Sequence, residues 1–417
     1  MKHIKREPRS FLFLQGPPGP FFARLGVALV TAGHNVFRIN FNGGDRMCWS
    51  IGATDYRDTA QNWPRFFEGF VKKHGITDLV LFGDCRPLHR AAHGIAKLNH
   101  LMIHVFEEGY VRPDWVTLEV DGVNGNSNLS KDPNWYLKAA RNLPPLPTYP
   151  GIASSFKRRA REALAYYTQS VVQTWRFPHY RSHREGFVIM EGLGWIKRLS
   201  TDNKARARSV LLLEKIGQRP YFLFPLQLNS DHQIRIHSPF GNMRVAMEYV
   251  IESFARTAPA DAVLVVKQHP LDNGLINWRR YAMALARRLG LGERILFLED
   301  GDIAQIVRPA RGLVTINSTT GTLSLSDGIP TVVLGHAVYD VPGITHQGPL
   351  DEFWVAPHPP EPRIWDAFCR VLRDRCLVRG GFLSEEGLQL LIEGSVERLT
   401  CRPFFNAAAI EPSLVIN

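Results

Sequence analysis

Short apolar runs alternate with amphipathic stretches along the first third of the chain. Phe11–Leu14 and Leu79–Phe82 are continuous apolar runs with the length of buried strands, and Trp63–His74 between them carries apolar residues at helical spacing. Strands of four or five residues that alternate with helical segments are typical of βαβ units with a parallel sheet. This pattern predicts an α/β fold that begins with a Rossmann-like domain, which we place at residues 1–145.

The same alternation returns after a stretch of different texture. Residues 122–146 are rich in Asn, Ser, Gly and Pro, which predicts a long loop and linker. Apolar runs resume at Tyr221–Phe224 and continue to Thr331–Leu334, with helical segments between them. We expect a cleft between the two Rossmann-like halves, and we place the remaining parts as follows: a basic helical insertion at 146–215, the second Rossmann-like domain at 216–360 and C-terminal helices at 361–417.

Composition adds few constraints to this picture. The chain of 417 residues is 45% hydrophobic and 21% charged, as ordinary globular domains are. It contains no uninterrupted apolar run of about eighteen residues, so we expect no membrane span. The basic N-terminus is followed by too short an apolar run for a signal peptide, which predicts a cytoplasmic protein. The five cysteines are scattered without paired CxxC spacing, which argues against a zinc site and a disulfide framework.

Positive charge is concentrated in one part of the chain. The formal net charge is +11, and residues 156–208 hold twelve Lys or Arg against four acidic residues. Such a basic block suits nucleic acid, anionic lipid or an acidic substrate. A solvated helical face is the alternative interpretation.

Polar loops follow the predicted strands of the first domain, where ligands of open α/β sheets bind. The Gly-Pro loop after the first strand has neither the glycine spacing of a dinucleotide fingerprint nor the Lys-Ser/Thr of a P-loop. For Asp84, capping of the helix that begins at Pro87 is the favoured alternative to a catalytic role. The candidate ligand-contacting residues of these loops are Gln15, Gly16, Asn42, Asp45, Asp84 and Arg86.

Two adjacent carboxylates, Glu107 and Glu108, end a strand whose preceding residues are mostly apolar. Partial desolvation at a strand end raises the pKa of a carboxyl group, which suits a general acid or base. The two side chains face opposite ways in an extended chain, so we expect only one of them to enter a cleft. Arg112, another candidate cleft residue, is also a possible ion-pair partner for these acids.

The second domain carries three polar segments at the ends of predicted strands. Asp231 lies among polar neighbours after Tyr221–Phe224, near Gln227, and is either a cleft residue or a turn and N-cap residue. A Lys and a His directly after a strand suit a nucleotide phosphate, and hydroxyl and amide side chains before a helix suit an anion. These two segments supply the candidate donor-binding residues Lys267, Gln268, His269, Pro270, Asn317, Ser318, Thr319, Thr320 and Gly321.

Together these segments resemble the capsule polysaccharide biosynthesis and export family, specifically its KpsS-type β-Kdo transferases. The resemblance extends from about residue 10 to 355 and depends on the order of the motifs more than on any single one. The motifs are Leu14–Pro17, Phe41–Asp45, Leu81–Pro87, Phe106–Pro113, Thr117–Glu119, Gly122–Gly125, Pro225–Gln227 with Asp231, Lys267–Pro270, Ile316–Thr319 and Tyr339–Asp340 with Pro342–Gly343.

The resemblance implies a GT-B glycosyltransferase fold and a retaining transfer of Kdo from CMP-Kdo. The acceptor would be a (lyso)phosphatidylglycerol on which the capsule linker begins, and neither a metal nor another cofactor is expected. By resemblance to similar enzymes, His269 and Ser318-Thr319 of this chain would hold the cytidine monophosphate. Asp231 would be the nucleophile, and Glu107, preferred to Glu108, would be the acid/base.

An anionic lipid acceptor also gives residues 156–208 an expected role. Cations interleaved with aromatic residues would bind the inner face of the bacterial inner membrane, where other capsule synthesis and export proteins would be partners. The aromatic residues expected at this surface are Tyr166, Tyr167, Trp175, Phe177 and Trp195. Nucleic acid is not expected, because the chain has no known recognition motif for it. The alternatives are transfer of another CMP-activated acidic sugar and a non-catalytic capsule export or scaffold protein.

Overall fold

The computed structural model describes residues 7–111, 114–182, 203–217, 219–229 and 231–400. The strands are β1 Ser10–Phe13, β2 Asn35–Asn40, β3 Thr54–Asp55, β4 Asp78–Phe82, β5 Met102–Glu108, β6 Trp115–Val120, β7 Tyr221–Pro225, β8 Val263–Lys267, β9 Ile295–Leu298, β10 Gly312–Thr315, β11 Thr331–Val333 and β12 Leu377–Arg379.

The helices alternate with these strands. They are α1 Phe21–Thr31, α2 Gly43–Met47, α3 Trp63–His74, α4 Pro87–Leu98, α5 Pro133–Ala139, α6 Phe156–Val172, α7 203–216, α8 His232–Arg235, α9 Met243–Thr257, α10 Trp278–Arg288, α11 Ile303–Val307, α12 Thr320–Ser326, α13 Leu350–Val355, α14 Pro362–Cys376 and α15 Glu385–Thr400. Short 3₁₀ turns lie at Asn124–Asn126, Thr174–Arg176 and Gly292–Arg294.

The chain folds into two compact units that are not contiguous in sequence. The first unit consists of Met1–Leu129, Pro145–His183 and Leu372–Asn417, and the second consists of Ser130–Pro144 and Arg184–Val371. This division differs from the predicted one, because the basic block is split between the units and the end of the chain returns to the first. The return is fixed by β12, which pairs with β6, and by the apolar face of α15, which packs with α1 in the core of the first unit.

The first unit contains a seven-stranded sheet in the order β12-β6-β5-β4-β1-β2-β3. The five strands from β5 to β3 are parallel, whereas β6 and β12 pair antiparallel at the other edge. Every residue of β1 and of β4 is buried. Helices cover both faces of the sheet, which explains why these strands are continuous apolar runs rather than alternating ones.

The second unit contains a five-stranded, fully parallel sheet in the order β11-β10-β7-β8-β9. Its central strands β7 and β8 are buried along their whole length. Two apolar clusters, one on each face, form the core. The α/β class with two Rossmann-like sheets is therefore confirmed, and in each unit loops at the carboxyl ends of the parallel strands carry predicted site residues.

Candidate active site

Asn317, directly after β10, ties together the loops at one edge of the second sheet. Its backbone N donates to Oε1 of Gln227, which follows β7, at 3.0 Å. Its side-chain Nδ2 donates to the carbonyl oxygens of Gln233 at 2.8 Å and His237 at 2.7 Å. The Oδ1 atom is buried and accepts no hydrogen bond from the described residues. Gln227 and Asn317 thus fix the conformation of the loops at this edge, where Asn317 Oδ1 is an available acceptor among the described residues.

A hydroxyl-rich turn leads from Asn317 into α12. Ser318 Oγ accepts a hydrogen bond from the backbone N of Thr320 at 3.1 Å and donates to Thr320 Oγ1 at 3.0 Å. Tyr339 donates its hydroxyl to the Ser318 carbonyl at 2.5 Å. A Cβ on Gly321 would collide with the Tyr339 ring, so glycine is needed there. The turn is therefore internally bonded, while Ser318, Thr319 and Thr320 remain half-exposed.

The Lys-Gln-His-Pro segment follows β8 at the same edge of the sheet. Lys267 is buried, and its Nζ donates to the carbonyl of Gln268 at 3.1 Å. His269 is half-buried, and its Nδ1 accepts from the backbone N of Leu271 at 3.0 Å. Because Nδ1 is an acceptor, the neutral ring carries its proton on Nε2. The fixed tautomer makes Nε2 a hydrogen-bond donor.

Asp272, which was not among the predicted site residues, organises this segment. Its Oδ1 accepts from Gln268 Nε2 at 3.1 Å and from the Gly274 backbone N at 2.9 Å. Its Oδ2 accepts from the indole Nε1 of Trp278 at 3.0 Å. A buried Asp after a His-Pro pair, with a Trp six residues on, is the signal that identifies such an anchor. Asp272 therefore positions the loop that carries His269.

Asp231 is a helix-capping residue in this structure. Its Oδ1 accepts from the backbone N of Gln233 at 2.9 Å, and its carbonyl accepts from the backbone N atoms of Ile234 and Arg235 at the start of α8. This is the turn and N-cap alternative that the sequence left open. The hydrogen bond fixes the direction of a half-buried carboxylate, and the nucleophilic role of Asp231 stays a prediction.

The two carboxylates at the end of β5 have different surroundings, as the alternation of an extended chain predicts. Glu107 accepts from the Glu108 backbone N at 2.9 Å through Oε1. Its Oε2 lies only 3.3 Å from where a Cβ would stand on Gly83, a residue with φ +69° that leaves room for this carboxylate. Glu108 instead forms an ion pair with Arg159 of α6 at 2.7 Å. Arg112, the expected partner, lies outside the described residues.

Three predicted ligand-contacting residues of the first unit form a buried network with Tyr166 of α6. The Tyr166 hydroxyl donates to Asp45 Oδ1 at 2.9 Å and accepts from Gln15 Nε2 at 2.7 Å and Asn42 Nδ2 at 3.0 Å. Burial raises the pKa of Asp45, although the adjacent Arg38 opposes this. These side chains hold α6 against the sheet. Tyr166, expected among interfacial aromatic residues, is buried because it completes this network.

The remaining predicted residues of the first unit also have intramolecular contacts. Gly16 leaves no room for a side chain, since a Cβ would lie 2.7 Å from the Phe22 ring. Arg86 donates to the Gln15 carbonyl at 3.2 Å. The N-cap position of α4 is Arg86 without a side-chain cap bond, so the prediction that Asp84 caps this helix is wrong. Asp84 instead accepts a hydrogen bond from the backbone N of Val123 at 3.2 Å, which fixes the loop after β6.

A second buried acid, Glu119 on β6, was not singled out for chemistry by its sequence context. Its Oε1 accepts from the Tyr110 hydroxyl and its Oε2 from Ser127 Oγ, each at 2.5 Å. Burial raises the pKa of Glu119 to about 7, although these hydrogen bonds oppose the shift. Alternation in β6, with apolar Val116 and Leu118 facing one side, is the signal that marks Glu119 as inward-facing on the other. Glu119 therefore titrates near neutral pH.

Several of the described cations of the basic block form ion pairs. Arg158 pairs with Glu162 and Glu385, and Arg176 with Asp55. On α7, the guanidinium groups pair with acids after β9, as the contacts Arg206–Asp300 and Arg208–Glu299 show. Trp195 and the other residues at 183–202 lie outside the described residues. Within the described ranges, no helix combines the length and the apolar character that crossing a bilayer requires.

Comparison with known proteins shows similarity over nearly the whole chain. A family model described as "Capsule polysaccharide biosynthesis protein" matches residues 77–383. The chain is 36% identical over 367 residues to the capsule polysaccharide export protein KpsS of Escherichia coli, which covers 86% of this chain and 93% of the relative. It is 33% identical over 402 residues to the capsule polysaccharide modification protein LipB of Neisseria meningitidis serogroup A, with 92% and 94% covered.

Among solved structures, the chain is similar to the β-Kdo 2,7 transferase of Thermosulfurimonas dismutans KpsC. The identity is 15% and the TM-score 0.39, with 93% of this chain and 90% of that one covered.

Proposed function

The chain belongs to the capsule polysaccharide biosynthesis family, as its motifs predict, and we propose that it is a retaining GT-B glycosyltransferase of capsule linker synthesis. Its donor would be CMP-Kdo, and its acceptor an anionic glycerophospholipid such as (lyso)phosphatidylglycerol. The names of the relatives support the capsule context. The choice of donor and acceptor depends on the motif resemblance and on the chemistry of the sites.

One observation carries the donor site. The segments after β7, β8 and β10 lie at the carboxyl edge of one parallel sheet in which β7 is the central strand of the three. The Gln227–Asn317 hydrogen bond of 3.0 Å joins two of these segments, and Asp272 anchors the third. Donors at this edge include His269 Nε2 and the half-exposed Thr319 hydroxyl, and Ser318 lies in the same turn. Such an arrangement suits a nucleoside monophosphate whose negative charge grows as it leaves.

The reaction that we propose has two displacements. The Asp231 carboxylate attacks the anomeric carbon of the donor, the bond from this carbon to the phosphate oxygen breaks, and CMP leaves with the electron pair. The acceptor hydroxyl then attacks the same carbon and gives its proton to Glu107, and the bond to Asp231 breaks. Two inversions retain the configuration. The Gln233 hydrogen bond to Asp231 supports a fixed direction of attack.

A lipid acceptor requires contact with a membrane surface, and α6 has a face that suits it. Lys157, Arg161, Leu164 and Val171 recur at helical spacing and are all exposed, and Trp175 follows in the next turn. Leu164 is 70% and Trp175 76% exposed. Cations beside exposed apolar residues are typical of helices that lie at a bilayer interface, where each cation contributes about 1 kcal/mol. We propose that this face contacts the cytoplasmic leaflet.

The direct test is mass spectrometry of products formed by the purified protein from lyso-phosphatidylglycerol with CMP-Kdo or CMP-sialate. We expect a Kdo adduct with the first donor and no adduct with the second. A sialate adduct alone would support the alternative donor. The absence of any adduct under both conditions, from folded protein, would support a non-catalytic export or scaffold role.

Variants separate the roles within this test. We expect His269→Ala and Glu107→Gln to lower kcat by about 10²–10⁴, the usual contribution of positioned acid–base and charge-stabilising groups. The matched controls are His358→Ala, an exposed histidine of the same unit, and Glu108→Gln, the neighbouring carboxylate. Equal losses in Glu107→Gln and Glu108→Gln would contradict the assignment of the acid/base.

A further inference from the structure

The first unit contains a polar pocket that the roles given above do not use. Its volume is about 370 Å³, within the ~300–1,000 Å³ of small-molecule sites. It lies between α4 and the loop that follows β6. Its walls include Asp84, Arg90, His93, Lys97, Asp121 and Asn126.

One face of α4 supplies the basic side of this pocket. Arg90, His93 and Lys97 follow each other at intervals of three and four residues, so they lie along the same side of the helix. Arg90 and Lys97 are exposed, so their charges are solvated and accessible to a ligand. Arg90 and Lys97 are thus two cationic donors on one side of the pocket, which suits an anionic oxygen group.

The loop that follows β6 supplies the opposite wall, and buried groups hold it in a strained shape. Asp84, only 5% exposed, accepts from the backbone N of Val123 at 3.2 Å and from Asn126 Nδ2 at 3.0 Å. His93 Nε2 is in hydrogen-bond contact with the Asp121 carbonyl. Asp121 has φ +70° and Asn124 has φ +59°, a region that non-glycine residues rarely adopt.

Such strain persists only where the surroundings enforce it, and it concentrates at ligand sites. Gly122, between the strained residues, cannot be replaced without a collision, because a Cβ would lie 2.9 Å from that of Asn126. The loop therefore has a built shape, with Asn126 at the pocket and Asn128 beside it.

We propose that this pocket binds a glycerol phosphodiester, the polar head of the lipid acceptor, which rests on the function proposed above. Arg90 and Lys97 bind the phosphodiester oxygens, while His93 holds the opposite wall through the Asp121 carbonyl. Asp121, Asn126 and Asn128 form hydrogen bonds with the vicinal hydroxyls of the glycerol group. The carboxylates opposite the cations disfavour a doubly charged anion, whereas a singly charged diester with hydroxyl groups satisfies both walls.

The first arm of the test measures binding of soluble probes to the full chain by calorimetry. The probes are glycerophosphoglycerol, inorganic phosphate and glycerol. We expect glycerophosphoglycerol to bind at least tenfold more tightly than either of the others, and Lys97→Ala to weaken it about tenfold. Equal affinity for inorganic phosphate would overturn the proposal in favour of a simple anion site, and no binding of glycerophosphoglycerol would overturn it outright.

The second arm measures kinetics with lyso-phosphatidylglycerol. We expect Lys97→Ala and Arg90→Ala to raise the acceptor KM about tenfold with little change in kcat or in the donor KM. Lys97→Arg should restore most of the loss. Lys73→Ala, an exposed lysine of α3 in the same unit, is the control. An unchanged acceptor KM in both pocket variants would overturn the proposal.

The two arms separate this proposal from the proposed function. If the protein transfers no sugar but binds glycerophosphoglycerol through Lys97, the pocket stands and the transferase activity fails. If transfer proceeds and the pocket variants behave as the wild type, the activity stands and the acceptor pocket fails. Both cation variants change exposed side chains, so we expect their thermal unfolding to match that of the wild type.

Discussion

Glu119 gives a quantitative prediction, because burial of its carboxyl group sets the sign of the effect and the raised pKa sets its order of magnitude. The carboxyl group is buried on β6 between the Tyr110 hydroxyl and Ser127 Oγ. Burial raises its pKa from an ordinary 4.5 to about 7. The folded protein therefore retains a proton that the unfolded chain releases in mildly acidic solution.

The raised pKa makes the free energy of unfolding fall as the pH rises. Below pH 4.5 both states hold the proton, and the contribution of Glu119 to stability is fully present. Between pH 4.5 and about 7 only the folded state holds it, so stability decreases until the folded state also ionises. Each pKa unit corresponds to about 1.4 kcal/mol, so the shift costs about 3 kcal/mol over this interval.

Glu119→Gln removes the titration and keeps the shape. The amide oxygen accepts from Tyr110 and the amide N donates to Ser127, so both hydrogen bonds persist. Compared with the wild type, the variant should gain about 3 kcal/mol of unfolding free energy between pH 4.5 and pH 7.5, measured by urea unfolding at several pH values. Glu386→Gln, an exposed glutamate of the same unit, should change nothing.

Infrared difference spectroscopy provides a site-specific version of the assay. The wild type should show a protonated carboxyl band that disappears near pH 7, and this band should be missing from Glu119→Gln. Parallel pH dependences of stability in the two proteins, or a carboxyl band that disappears near pH 4.5, would refute the reasoning.

Two further predictions concern the attachment of α6. Tyr166→Phe removes the hydroxyl shared by Gln15, Asn42 and Asp45 and should lower the free energy of unfolding in denaturant by about 3 kcal/mol. Tyr149→Phe, at an exposed tyrosine, should change it little, and equal effects of the two substitutions would contradict the network. Gly44→Ala should lower the free energy of unfolding by about 1–3 kcal/mol, because its Cβ would lie 2.6 Å from the Tyr166 carbonyl oxygen. Gly69→Ala on α3, where a Cβ meets no other atom, should instead raise it by about 1 kcal/mol. An unchanged free energy of unfolding in Gly44→Ala would show that α6 does not pack against Gly44.

Much of the sheet structure was predictable because parallel strands buried on both faces are continuous apolar runs. Phe11–Leu14 corresponds to β1 within one residue, and Tyr221–Phe224 to β7. The antiparallel edge was not predictable: β12 has three residues and no periodicity of its own, and it forms because β6 offers an unpaired edge. The return of the chain end to the first unit follows from that pairing.

Site residues were predictable where the strand period alone determines the direction of a side chain. They were not predictable where tertiary packing determines which residues come into contact. The opposite orientation of Glu107 and Glu108 follows from strand geometry alone. Tyr166 was expected at a lipid interface because composition cannot show which face of α6 is buried. The tie between Asp84 and Val123 spans 39 residues of sequence, so no local pattern indicated it.

The central claim is that the edge of the second sheet binds the cytidylate leaving group, and a crystal structure with cytidine monophosphate tests it most directly. We predict the phosphate within hydrogen-bond distance of His269 and of Ser318 or Thr319. Nucleotide bound away from these residues, with His269 and Ser318 unoccupied, would contradict the account.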